Sequence, residues 1–259
     1  MSGRNLLKIT EALKQVAKMS TVVRSPGPPR IWDVIEKTGK DGRPIKFTIQ
    51  EIPEDRSEEA VDHMCTHFLA DEPTCACFNA INTPIFVEEC RTLWRGLMEQ
   101  RMAIAAFVDN PKGGKPIIAG MNVLSIEFKE NAEKKLHFQS KFGITYKVMS
   151  DLTKQLQLYE RYGVEKYMFA VGLSVAPAFR GYGLGTDLLK TRDKIGREYN
   201  IRMTSTAFTS PFSKKSAERA GFELLLSRDY TDLVDENGKE YFPGIQKFSN
   251  TIVIMAKRI

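Results

Sequence analysis

The chain is poor in the residues on which metal and redox chemistry depend. Its 259 residues include three histidines and four cysteines. His63 and His67 stand four apart, a spacing that shares one helix face. Met64, however, occupies the place of the glutamate that a His-Glu-x-x-His zinc motif requires. Packing or surface roles are expected for both, and no metal is expected. Cys65, Cys75, Cys77 and Cys90 match no common zinc spacing. They are expected to be reduced thiols in a cytoplasmic protein, and no partner for a catalytic cysteine is evident. No apolar run approaches the ~20 residues that span a bilayer. No secretory h-region is apparent either, so no membrane partner is expected. The net charge of +6 is modest and its residues are scattered. A nucleic-acid protein more often shows a basic face set with aromatic groups, so that class is disfavoured and part of the excess is read as serving an anionic ligand. No heptad or interface stripe appears, which leaves a monomer as the expectation.

What is present suits a globular enzyme-sized chain. A hydrophobic content of 42% over this length can bury a sizeable core. Leu6, Ile9, Leu13 and Val16 recur at helical steps and predict an amphipathic helix over 1–20. Ser25-Pro26-Gly27-Pro28-Pro29 ends it. Residues 1–30 are therefore read as an arm and linker, and 31–259 as one domain. Phe47 to Ile52 alternates as a strand. Helices are expected from Ser57, acting as N-cap, to Leu69 and from Thr83 to Arg101. Met102–Val108 and Pro116–Glu127 read as a hairpin around Asn110-Pro111-Lys112-Gly113-Gly114. A helix over 150–162 follows. Then come a strand (167–175), a helix (186–199), a strand (201–208), a short helix (213–220) and strands at 222–227 and 251–256. The order β, α, α, β, β, α, β, α, β, α, β, β predicts a mixed α/β sheet flanked by helices.

The most informative segment is Leu173-Ser174-Val175-Ala176-Pro177-Ala178-Phe179-Arg180-Gly181-Tyr182-Gly183-Leu184-Gly185-Thr186. A strand feeds it and a helix leaves it. Its glycines allow a tight turn whose N–H groups converge, and the helix start adds a positive dipole end. Arg180 adds a fixed charge. The arrangement suits a pyrophosphate. No lysine follows Gly185 in P-loop register, and the third glycine comes one residue early for a dinucleotide fingerprint.

The pattern Val-x-Pro-x-x-Arg-Gly-x-Gly-x-Gly resembles motif A of the GNAT N-acetyltransferases. Further likeness lies in Glu51-Ile52-Pro53-Glu54-Asp55, Phe68-Leu69-Ala70-Asp71-Glu72-Pro73, Thr209-Ser210-Pro211-Phe212-Ser213 and Ala220-Gly221-Phe222. Together, over about residues 45 to 259, these are similar to the insect arylalkylamine N-acetyltransferases. The resemblance implies a mostly antiparallel mixed sheet splayed between two parallel strands, with acetyl-CoA entering the fork. It implies transfer of acetyl to a small amine such as dopamine, serotonin or octopamine by direct attack in a ternary complex. It places Leu173, Ser174 and Val175 along the pantetheine arm, with the Val175 N–H as oxyanion donor. The backbone from Arg180 through Gly181, Tyr182, Gly183, Leu184 and Gly185 to Thr186 meets the pyrophosphate, and Lys214 reaches the 3′-phosphate. Glu54 is the general base implied, with Asp55 as the local alternative. Ser210 and Ser213 fall where related enzymes carry functional serines, and either hydroxyl could relay a proton or cap the helix that follows. Ala217 replaces a tyrosine that many GNAT enzymes use as an acid.

The substrate is less constrained. Phe78, Phe86, Trp94, Met149 and Met168 are candidate walls of an aryl pocket, although helix aromatics are commonly core. Thr74-Cys75-Ala76-Cys77 departs from better-defined relatives. Polyamines, aliphatic amines, protein lysines or N-termini, and a non-catalytic acyl-CoA-binding module are the alternatives.

Overall fold

A computed structural model describes residues 24–259 except 26, 40 and 133–135. The helix expected over 1–20 lies outside the described residues.

One eight-stranded sheet organises the chain, in the order β1-β2-β3-β4-β5-β6-β8-β7. The strands are β1 (Ile31–Thr38), β2 (Pro44–Glu51), β3 (Ile104–Val108), β4 (Ile117–Phe128), β5 (Lys166–Val175), β6 (Met203–Phe208), β7 (Glu223–Asp229) and β8 (Thr251–Arg258). All neighbours are antiparallel except β5 and β6. That parallel pair shares a single rung, Met168 with Thr204. Beyond it the strands diverge, and the sheet forks at its centre.

Helices cover both faces. On one face lie α1 (Ser57–His63), its continuation through a π-helical turn (Met64–Phe68) and a last turn (Leu69–Asp71), α2 (Pro73–Cys77), α3 (Pro84–Met98), α4 (Phe142–Lys154) and α5 (Leu158–Tyr162). The opposite face carries α6 (Leu184–Glu198), and α7 (Pro211–Arg219) packs beside it. The two-residue period of a strand explains both cores. Met121 and Val123 of β4 join Trp94 and Phe86 on the α3 side. Leu124 and Ile126 join Leu188 and Ile195 on the α6 side.

β5 breaks that period once. Asn122 pairs with Leu173, and Leu124 with Ala170, so two steps on β4 oppose three on β5. The extra residue is a bulge at Gly172. It lets Val171 pack on the α3 side and Leu173 on the α6 side. Gly172 has φ +121°, and a Cβ there would stand 2.4 Å from Met64 Cε. The positive φ favours glycine, while the Met64 tip is flexible enough to yield.

Several sequence expectations change. β1 was not foreseen: it is a half-exposed edge strand without clean alternation. Ser57 is not the N-cap of α1 but lies inside it, after a 3-10 turn (Glu54–Arg56) that already starts the helical path. The helix expected over 150–162 begins at Phe142, ends at Lys154, and is separated from α5 by Gln157 at φ 45°. The hairpin of β3 and β4 stands as read, its turn closed by the Gly113 N–H donating to Asn110 O at 2.9 Å. The strand-turn-helix of the glycine segment stands as well, with α6 starting at Leu184.

Candidate active site

The loop between β5 and α6 has backbone geometry that could hold an anion. Gly181 and Gly183 adopt φ 92° and 78°, which only glycine takes without strain. Gly183 occupies the N-cap position of α6. The N–H groups of Gly181, Gly183, Leu184 and Gly185 donate to no acceptor among the described residues. They are the unsatisfied donors of a helix start, aimed where the dipole is positive. Gly185 lies in the first turn of α6 beside Ser216 of α7, and a Cβ there would make an ordinary contact with Ser216 Oγ at 3.4 Å.

This loop opens onto a cavity of about 1200 Å3 that runs through the fork of the sheet. Leu173, Ser174, Val175, Arg180, Gly181, Gly183, Leu184, Gly185 and Thr186 line it, as do Ser210 and Ser213. The structure therefore brings these sequence-selected residues together. Tyr182 and Lys214 are not on its wall; Tyr182 packs against Phe47 with ring centroids 5.9 Å apart. Lys215 and Arg219, one turn apart on α7, stand on the wall instead. The sequence held a signal for them, since an i, i+4 basic pair shares a helix face.

Glu54 stands apart. Its side chain is 86% exposed and accepts a hydrogen bond from Arg101 Nη2 at 3.2 Å. Asp55 is paired with Lys115 at 3.1 Å. Neither lines the cavity. The titratable groups on the wall near the glycine loop are His67 and Asp71 of the α1 continuation and Glu72. Asp71 accepts from Arg180 Nη2, and Arg180 Nε also donates to Val175 O at 3.1 Å. Burial, then the charge of Arg180, lowers the His67 pKa, so its imidazole is neutral near pH 7 and able to accept a proton. Glu72 caps α2: its Oε2 accepts from Cys75 N–H at 2.7 Å and from Thr74 Oγ1 at 2.6 Å.

Ser210 and Ser213 cap each other. Ser213 N–H donates to Ser210 Oγ at 3.1 Å, and Ser210 N–H to Ser213 Oγ at 3.4 Å. The two hydroxyls are 3.0 Å apart. Such a box satisfies two donors of a helix start, while both side chains still face the cavity.

The cavity wall also carries many aromatic groups, alongside the charged side chains of Glu127, Lys129, Lys154 and Glu160. Phe68, Trp94, Phe142, Tyr146, Tyr159, Tyr167 and Phe169 contribute, with Met149 among them. Phe78, Phe86 and Met168 do not line it. Phe86 and Met168 are buried core, and Phe78 packs on Phe242 at 5.5 Å. Of the Thr74–Cys77 segment, Cys75 reaches the wall. Burial pushes its thiol well above the ordinary value, so it is no ready nucleophile. His63 is buried with its ring 4.7 Å from that of His67. Among the described residues no group of three metal-ligating side chains occurs, and no helix is long and apolar enough to cross a membrane.

The forked mixed sheet, the bulge and the glycine turn define the GNAT acetyltransferase fold. Within it the chain is similar to insect arylalkylamine N-acetyltransferases. A candidate arylalkylamine N-acetyltransferase 7 from the yellow fever mosquito shares 28% identity at a TM-score of 0.81, over 90% of this chain and 96% of that one. Arylalkylamine N-acetyltransferase 2 from Aedes aegypti shares 22% at 0.68, over 82% and 99%. A Drosophila melanogaster polyamine N-acetyltransferase that forms N-acetylagmatine shares 18% at 0.65, over 82% and 100%. The last two likenesses bear on the fold. No protein-family model matches the sequence, and curated protein sequences yield no match.

Proposed function

We propose that this protein transfers the acetyl group of acetyl-CoA to the primary amine of a small arylalkylamine. One observation carries the reading: a loop with unpaired amides lines a cavity at the fork whose wall also carries a set of aromatic side chains. In this reading the loop amides and Arg180 hold the pyrophosphate, Lys215 and Arg219 sit near the 3′-phosphate, and Leu173 to Val175 guide the pantetheine arm. The aryl group packs against the aromatic side chains of the wall, with Trp94 and Phe68 near the bulge and Tyr167 and Phe169 further along β5.

The chemistry is direct attack. The amine nitrogen bonds to the thioester carbon, the carbonyl opens to an oxyanion, and its collapse breaks the C–S bond. The amine proton must leave to a base. Glu54 is the base that the resemblance implies, acting through water because its carboxylate stands outside the wall. His67 is the second reading, favoured by its place on the wall and its lowered pKa. A backbone donor such as the Val175 N–H would stabilise the oxyanion, a contribution of about 3 kcal/mol for one well-placed donor.

Direct attack is supported by the cysteines. Burial raises the pKa of Cys65, Cys75, Cys77 and Cys90. The test is intact-protein mass after incubation with acetyl-CoA alone, followed by addition of an aryl ethylamine. An unchanged protein mass followed by N-acetylamine is the expected result. Stoichiometric acetyl on the protein, transferred on amine addition, would overturn the ternary-complex reading.

A further inference from the structure

Arg192 of α6 is fully enclosed, at 0% exposure. Its Nε donates to Asn122 Oδ1 at 3.0 Å, and its Nη1 donates to Thr204 Oγ1 at 3.0 Å and Thr206 Oγ1 at 2.9 Å. Its Nη2 is buried and has no partner among the described residues. The guanidinium carbon lies 5.5 Å from the Phe222 ring centroid, but no carboxylate among the described residues neutralises the charge: desolvation alone moves its pKa, down to about 9. The guanidinium is still charged at neutral pH, and a buried cation without a counter-charge is costly. Such a group calls for negative charge from elsewhere.

Its location says when that charge arrives. Thr204 belongs to the one rung that joins β5 and β6, and Thr206 is two residues into the split. Asn122, which holds Nε, uses its Nδ2 to donate to Gly172 O at 2.8 Å, at the bulge. The guanidinium thus lies at the crotch of the fork, and Arg192 and Thr206 both line the cavity. An arm laid from the glycine loop along Val175, Ser174 and Leu173 would lead inward toward this point. On the function proposed above, on which this inference rests, the end of that arm is the thioester. It becomes anionic twice, first on the carbonyl oxygen and then on the departing sulfur.

We propose that Arg192 is a catalytic residue whose Nη2 donates a hydrogen bond to the thioester end of CoA and stabilises the thiolate as it leaves. In that step the C–N bond has formed and the C–S bond breaks, with its electron pair going to sulfur. Arg192 keeps its proton. Sulfur later takes up the equivalent of the proton that the amine gave to the base, so the products are the amide and CoA with its sulfur as the neutral thiol. Preorganised charge in a desolvated site is the form in which such stabilisation is strongest.

Free CoA is the probe, because its thiol titrates between the same two states. The ultraviolet absorbance of thiolate is followed against pH for CoA bound to the wild type, to Arg192→Met and to Arg192→Lys. In the wild type the bound thiol is expected to titrate at least about one unit below the ordinary value of ~8.5. In Arg192→Met that shift is lost while CoA still binds through the loop, and Arg192→Lys keeps part of it. A purely structural role would lower the melting temperature of the variants and leave the bound thiol where it was in the wild type. If Arg192→Met does not fold, the wild type decides alone. Its preference for CoA over desulfo-CoA should rise with pH between the titrations of the bound and the free thiol, by about tenfold in total for each pH unit that separates the two. A pH-independent preference, or a bound thiol at or above its ordinary value, overturns the role of Arg192 and leaves acetyl transfer standing. Failure of the wild type to bind CoA at all overturns the functional reading itself.

Discussion

Arg180 of the glycine loop is ion-paired with Asp71 at the end of the α1 continuation, across the mouth of the cavity. On the proposed function, Asp71 competes with a CoA phosphate for Arg180. Both side chains are about half exposed, at 48% and 51%, so the contact is worth about 1 kcal/mol or less. Asp71→Asn is therefore expected to tighten CoA binding by about two- to five-fold at low ionic strength, and calorimetry with CoA measures it. Weaker binding in the variant would mean that Asp71 holds Arg180 in its working position.

The proton acceptor can be identified by pH profiles of kcat/KM. His67 lines the cavity with a lowered pKa, whereas Glu54 is exposed and paired with Arg101. If Glu54 is the base, Glu54→Ala should remove the acidic limb and about 10²-fold or more of the rate, and His67→Gln should retain both. The reverse pattern would assign the proton to His67. Loss of neither limb would leave both residues out of the chemistry.

The glycine segment was legible in the sequence because the device is local. A strand, a tight glycine turn and a helix start are neighbours in the chain, and together they dictate the local backbone whatever surrounds them. The hairpin over Asn110–Gly114 was legible for the same reason. Features that depend on distant packing were not. An arginine at position 192 reads as a solvated helix residue until Asn122 of β4 and Thr204 and Thr206 of β6 enclose it. The choice of wall residues also failed for Phe86 and Met168, because an aromatic or apolar helix and strand pattern does not say which face meets a cavity and which a core. Glu54 kept its expected place after β2, yet sequence gave no warning that Arg101 would hold it on the outside.

Ser210 and Ser213 carry two roles that one substitution cannot separate. Ser210→Ala removes the acceptor of the Ser213 N–H and is expected to cost about 1 kcal/mol of stability. Ser210→Asn supplies a new cap acceptor and should recover the melting temperature. We expect turnover to recover with it, as the hydroxyls already bond each other at 3.0 Å. Stability restored without turnover would assign the hydroxyl to proton relay.

His63 makes stability depend on pH. Desolvation, aided by the neighbouring His67, lowers its pKa from 6.5 to about 4 in the folded protein. The unfolded chain therefore takes up the proton first as pH falls. Stability from this group is complete above pH ~6.5 and is lost progressively down to about pH 4, a total of ~3 kcal/mol. Denaturant melts of the wild type and His63→Leu should diverge over that window, with the flatter curve in the variant. Parallel curves would show that His63 does not couple folding to protonation.

The most direct test of the account is CoA thiol release from acetyl-CoA, measured across aryl ethylamines, aliphatic amines, polyamines and lysine peptides. The account expects release that depends on an aryl ethylamine and matches the N-acetylamine formed, mole for mole. Acetyl-CoA that binds in the fork yet releases no thiol with any amine would contradict it.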